Sequence, residues 1–155
     1  MIKFVNKERG EIIITGRTKQ FLSLVGEHLS QDNMNQAVEI TSNELKVNIK
    51  EFTVSGFRND KTFAHHWYLG CDEPIDKELA IKKIDEHLKI LNDDYRVERE
   101  EALKDLYIDI LPTHVFYDFM EKTGKIGGAT KFPRVLKGNR YEDWKEYISS
   151  LNAIK

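Results

Sequence analysis

Cysteine is nearly missing from this chain: Cys71 is the one thiol in 155 residues, so no internal disulfide can form and a reducing, cytoplasmic compartment is expected. Only three prolines interrupt the sequence, leaving long stretches free to form helix or strand. No apolar run has the length of a membrane span or the look of a secretory core, so no membrane partner is expected. Charge of one sign is also lacking. With 24 basic and 26 acidic residues the formal net charge is -2, which excludes the broad basic field that gathers nucleic acid or an anionic bilayer.

What is present is enough apolar material, 40% of the residues, for the core of one ordinary domain. Met1 is followed at once by Ile2-Lys3-Phe4-Val5, which reads as strand rather than as a leader. Ile12 to Ile14 and the run Phe21, Leu22, Leu24 read as a hairpin or bent strand pair. Ser30 is placed to cap a helix in which Met34, Ala37, Val38, Thr41 and Leu45 form one stripe. Ile49 to Phe57 and the alternation Phe63, His65, Trp67, Leu69 predict two antiparallel strands across a turn at Asn59-Asp60. Pro74 and Asp76 introduce a second helix carrying Ala80, Ile81, Ile84, Leu88 and Leu91. A charged stretch from Asn92 to Leu103 follows, as solvated helix or loop. Leu106, Ile108 and Ile110 form a last strand that Pro112 stops.

Thr113 is then expected to cap a short helix with Val115, Phe116, Phe119 and Met120, ended by Gly124. Trp144, Tyr147, Ile148 and Leu151 mark a terminal helix. The order predicts an α+β fold: a ferredoxin-like split βαββαβ sheet with an N-terminal hairpin extension and extra C-terminal helices.

The segment Gly124-Lys125-Ile126-Gly127-Gly128-Ala129-Thr130-Lys131 puts a lysine on a glycine-rich loop directly after a helix, with Pro133-Arg134 behind it. It lacks the strand before, the helix after and the terminal Gly-Lys-Ser/Thr of a P-loop. Taken alone, it is as much an ordinary surface loop as a phosphate-handling device. His65 and His66 are adjacent on a strand and point to opposite faces, so they are poorly placed to share one ion, and no metal site is expected. Glu98, Glu100, Glu101 and Asp105 are spaced like a solvated helix face. No serine or cysteine sits in a motif that marks an activated nucleophile.

Gly16-Arg17-Thr18-Lys19-Gln20-Phe21, with Gly26-Glu27-His28-Leu29 and Asp32-Asn33, resembles the opening of the C-terminal domain of the auxin-responsive promoter (Gretchen Hagen) acyl-acid amido synthetase family. Further blocks agree in order: Glu51-Phe52-Thr53-Val54 with His65-His66-Trp67, Leu91-Asn92 with Tyr95-Arg96 and Arg99, and Gly127 to Lys131 with Pro133-Arg134. The resemblance covers nearly the whole chain. That family belongs to the adenylate-forming, firefly luciferase-like superfamily, whose members activate a carboxylic acid with ATP and Mg²⁺ and pass the acyl group to an acceptor, here an amino-acid amine.

The resemblance implies that residues 1–155 are a single C-terminal cap domain of a larger ligase, with the hinge-like segment within 1–19 and the N-terminal catalytic domain absent. It implies Lys131 as the catalytic lysine of the late loop, Gly127, Gly128 and Arg134 as loop support, and Arg17 or Lys19 as the hinge or nucleotide-binding cation, with the choice between those two open. This chain has Ala129 where plant members usually have glutamine. ATP and Mg²⁺ are expected to serve the full-length enzyme and not to bind tightly to this fragment. The expected partners are the N-terminal domain and the carboxylic acid and amino-acid substrates, with no nucleic acid. The fragment is expected to be an inactive monomer. The alternative from the residues alone is a stand-alone ferredoxin-like ligand-binding or regulatory module.

Overall fold

The structure, a computed structural model, describes residues 2–6, 11–14, 21–124 and 131–152. Ile2–Asn6 (β1) and Glu11–Ile14 (β2) pair antiparallel, with Ile2 opposite Ile14 and Phe4 opposite Ile12. The isoleucine run therefore pairs backwards in sequence. The run from Phe21 to Leu24 does not continue that hairpin. It closes on itself as a strap, because Gly26 at φ 123° turns the chain back and lets Leu22 and Leu29 exchange both backbone hydrogen bonds at 3.0 and 2.9 Å.

Gln31–Leu45 (α1) begins at the expected cap: the Ser30 hydroxyl accepts the Asn33 N–H, and the Asn33 side chain accepts the Ser30 N–H, each at 3.1 Å. Lys46 at φ 55° ends it. Ile49–Asn59 (β3) and Thr62–Cys71 (β4) form the antiparallel pair across Asp60, whose φ is 51°. Lys77–Leu91 (α2) and Asp93–Glu101 (α3) then cross over to Leu103–Leu111 (β5), which lies parallel to β4. Asn92 ends one helix and caps the next, so the charged stretch after it is helical.

The class is α+β, with the hairpin in front and two further helices, His114–Lys122 (α4) and Asn139–Asn152 (α5), behind. Within the sheet the order is β3-β4-β5. A split arrangement keeps a place for the first strand between the last two, and here β5 fills that place by pairing directly with β4. The strap has no free ladder edge to offer, since Leu22 and Leu29 have spent theirs on each other. Thr113 stands at the head of α4, but its hydroxyl makes no capping bond; its backbone N–H donates to Asp72 at 2.8 Å instead.

β4 divides two cores by simple alternation. Trp67 and Leu69 face α1 and α2, where Met34, Val38, Ile84 and Leu88 are buried. Tyr68 faces α4 and α5 and meets Phe116, Phe119, Phe132 and Trp144. Among the described residues, no helix is long and apolar enough to cross a membrane.

Candidate functional site

The residues that follow the glycine-rich segment are fastened one after another, first to the C-terminal helices and then to the sheet. Phe132 is buried edge-on against Phe116 and Trp144, with centroids 5.0 and 5.1 Å apart. Arg134 donates to Glu51 at 2.6 Å and to the Phe52 carbonyl at 3.1 Å, and its guanidinium lies 4.4 Å over the Phe52 ring. Val54 of β3 then bonds both ways, its N–H to the Arg134 carbonyl and its carbonyl to the Leu136 N–H, each at 3.0 Å. Lys131 stands at the head of this fixed segment. It is exposed, and its ammonium has no hydrogen-bond or ion-pair partner among the described residues. Gly127 and Gly128 lie outside the described residues, as do Arg17 and Lys19 and the rest of the hinge-like segment.

The strap is held from beneath by a pair that sequence reasoning did not join. The Glu27 carboxylate accepts the N–H of Leu24 at 2.9 Å, of Val25 at 3.0 Å, and Nε2–H of His65 at 3.0 Å. Both side chains are fully buried. Burial alone would push the Glu27 carboxyl up, but the bond from His65 and the two backbone donors outweigh it and hold the group at about 2. Burial keeps His65 below its usual range despite Glu27, so the ring is neutral and donates through Nε2. Glu27 and His65 are far apart in the sequence, and no local spacing rule links them.

The Asn-x-x-Tyr-Arg block also turns out to bind the fold together. The Asn92 side-chain oxygen Oδ1 accepts the Tyr95 N–H at 2.8 Å, and its side-chain amide Nδ2 donates to the His28 carbonyl at 3.1 Å. Asp85 accepts from the Tyr95 hydroxyl and from Arg99 Nε, both at 2.8 Å. Arg99 also donates to the Leu103 carbonyl. Burial pushes Asp85 up, and Arg99 and Lys89 more than reverse it, so it is held below its ordinary value. These side chains tie α2 to α3 and the start of β5, and they are spent on one another.

A cleft of about 690 Å³ runs between the strap at Leu22 to Leu24, β3 at Ser55 to Phe57, and Lys137 with the first turn of α5. Among the described residues, no group of three or more His, Cys, Asp or Glu is placed to hold a metal ion. What the geometry presents is an exposed lysine, without a partner among the described residues, at the head of a segment fixed to β3. Such an arrangement can deliver charge to a site completed elsewhere, and among the described residues it has no acid, base or nucleophile grouped to do chemistry by itself.

The model of the GH3 family C-terminal domain matches residues 32–140. Among solved structures, a GH3.15 acyl acid amido synthetase superposes with a TM-score of 0.70 at 16% identity, over 90% of this chain and 27% of that one. A second, AtGH3.15 acyl acid amido synthetase in complex with 2,4-DB, superposes with a TM-score of 0.68 at 17% identity, over 89% of this chain and 26% of that one. At those identities the likeness is one of fold. No curated protein matches the sequence. The chain spans about a quarter of the length of the solved proteins it resembles.

Proposed function

Because the chain belongs to the GH3 family as its C-terminal domain, we propose that it is the mobile cap of an ATP-dependent acyl-acid amido synthetase, catalytically incomplete without an N-terminal domain. The observation that carries the proposal is the contrast at residues 131 to 134. Arg134 is committed to Glu51 and Phe52, while Lys131 projects from the same segment into water with no partner among the described residues.

Lys131 then acts by arriving. An ammonium brought to the α-phosphate or the leaving pyrophosphate only on closure lowers the transition state more than the open ground state. Lysine suits the task as a compact charge on a flexible stem. Phe132 and Arg134 fix the base of that stem, so closure of the cap positions the charge without a further search. Arg17 or Lys19, in the hinge-like segment, would favour one closed orientation over the other. ATP would supply the activating group for the carboxylate and Mg²⁺ would screen its phosphates; Lys131, exposed at the head of its segment, would be the residue set against them. The acyl acid and the amine acceptor would be chosen on the N-terminal domain.

The test is the full-length gene product, assayed for acid-dependent pyrophosphate release and for amide formation with amino acids. Lys131→Ala should lower kcat for pyrophosphate release by roughly 10²- to 10³-fold with little change in stability. Lys131→Arg should restore part of the rate. Unchanged release in Lys131→Ala would take this residue out of the site, and turnover by the 155-residue chain alone would overturn the incomplete-cap reading.

A further inference from the structure

The two segments that the family reading makes important, the one leading in from the hinge and the one carrying Lys131, meet on β3. Leu24 of the strap lies on Gly56, so closely that a Cβ added there would come within 2.4 Å of the Leu24 Cδ1. Two residues along the same strand, Val54 holds Arg134 and Leu136. Lys137 closes the gap between the segments directly, donating from Nζ to the Phe21 carbonyl at 2.6 Å. At the opposite end of the strap, Glu27 gathers the N–H groups of Leu24 and Val25 and ties them to His65 of β4.

Stability alone is a poor reason for these choices. A buried ion-bearing pair is commonly no more stabilising than apolar side chains of the same volume, and an exposed lysine on a neutral carbonyl contributes little. What both contacts supply is direction: Lys137 fixes a backbone point of the strap to the segment that follows Lys131, and Glu27 fixes two more against β4. We propose that Glu27, His65 and Lys137 are positioning residues that make the strap and the Lys131-bearing segment one rigid unit, so that the chain entering at Phe21 and the ammonium of Lys131 keep a fixed relation whenever the cap turns. The inference rests on the cap reading. Its consequence is that turning about the hinge and placing the lysine are a single movement.

Lys137→Met and Glu27→Gln, with Lys137→Arg as the conservative control, are the variants to compare. In the 155-residue chain, Lys137→Met should speed amide hydrogen exchange at Leu22 and Leu29 by about tenfold and leave Trp67 and Leu69 of β4 within about twofold. Lys137→Arg should restore protection. In the full-length protein both variants should change the ratio of amide formation to pyrophosphate release by about fivefold or more, whereas a merely structural role would lower the two rates together. Unchanged strap exchange in Lys137→Met, or an unchanged ratio of the two rates, overturns the coupling. If Glu27→Gln does not fold, the exposed Lys137→Met decides the matter. A wild-type protein with no acid-dependent pyrophosphate release overturns the synthetase reading instead, and the exchange measurement on the chain then decides the rigid unit by itself.

Discussion

Arg134 turns its charge inward to Glu51, and Lys131 turns its charge outward to water, on the same short run of backbone. The inward one holds the segment in place. Removing it leaves Glu51, whose side chain is 11% exposed, with a carboxylate that, among the described residues, the weaker Tyr117 hydroxyl contact at 3.3 Å partly satisfies. Arg134→Ala should therefore cost roughly 2–4 kcal/mol in urea unfolding, and Glu51→Gln in the same background should recover part of it. The Glu27 and His65 pair gives a pH dependence with one sign. Glu27 is held at about 2 against an ordinary 4.5, so its stabilisation is present above 4.5 and is lost as pH falls from there towards 2. His65 sits below its ordinary 6.5 in the fold, so the unfolded chain takes up a proton first, and stability also falls as pH drops below 6.5. The denaturant midpoint should decline in two stages on acidification. His65→Gln should remove the upper stage and leave the lower one, and a wild-type midpoint flat from pH 8 to 5 would contradict the buried, neutral ring.

At the scale of elements, the caps and the close approach at Gly56 carry the sharpest expectations. Asn92 caps α3 while its amide reaches the His28 carbonyl, so Asn92→Ala should cost about 1–2 kcal/mol, at the high end for a cap. Gly56→Ala must push Leu24 away from 2.4 Å, and a thermal melt should show a loss of about 1–3 kcal/mol with the strap displaced. Most elements were legible in the sequence because their signals are local. The Ser30 cap, the alternation through Trp67 and Leu69, and the stop at Pro112 each depend on neighbours a few residues away. The strap was not legible as such, because what turns it is Gly26 together with a carboxylate whose partner lies on β4. The parallel pairing of β5 with β4 was hidden for the same reason: it goes with the run from Phe21 to Leu24 having closed on itself instead of joining the sheet. At the candidate site, family pattern and position draw attention to Lys131, and the structure shows that residue exposed. Lys137 could not, since a lysine bonded to a distant backbone carbonyl leaves no trace in spacing or composition.

For the whole molecule, the question is whether two cores on opposite faces of one three-stranded sheet behave as one. β4 runs through both, and consecutive residues Trp67 and Tyr68 belong to different cores, so neither face can loosen without releasing the central strand from its neighbours. The chain should unfold in a single transition as a monomer, with far-UV and near-UV circular dichroism coinciding in urea. Separate midpoints would show that α4 and α5 form an independently melting layer. Sedimentation at rising concentration checks the monomer.

That division also places one tryptophan in each core, and the chain has two in all. Trp67 and Trp144 are both fully buried, and neither indole nitrogen has a hydrogen-bond partner among the described residues. The protein is thus labelled by its own sequence as a pair of fluorophores, one reporting from β4 beneath α1 and α2 and the other from α5 where it packs on α4. Replacing Trp144 with phenylalanine leaves an optical channel for the first face, and replacing Trp67 leaves one for the second. Neither channel needs an added dye.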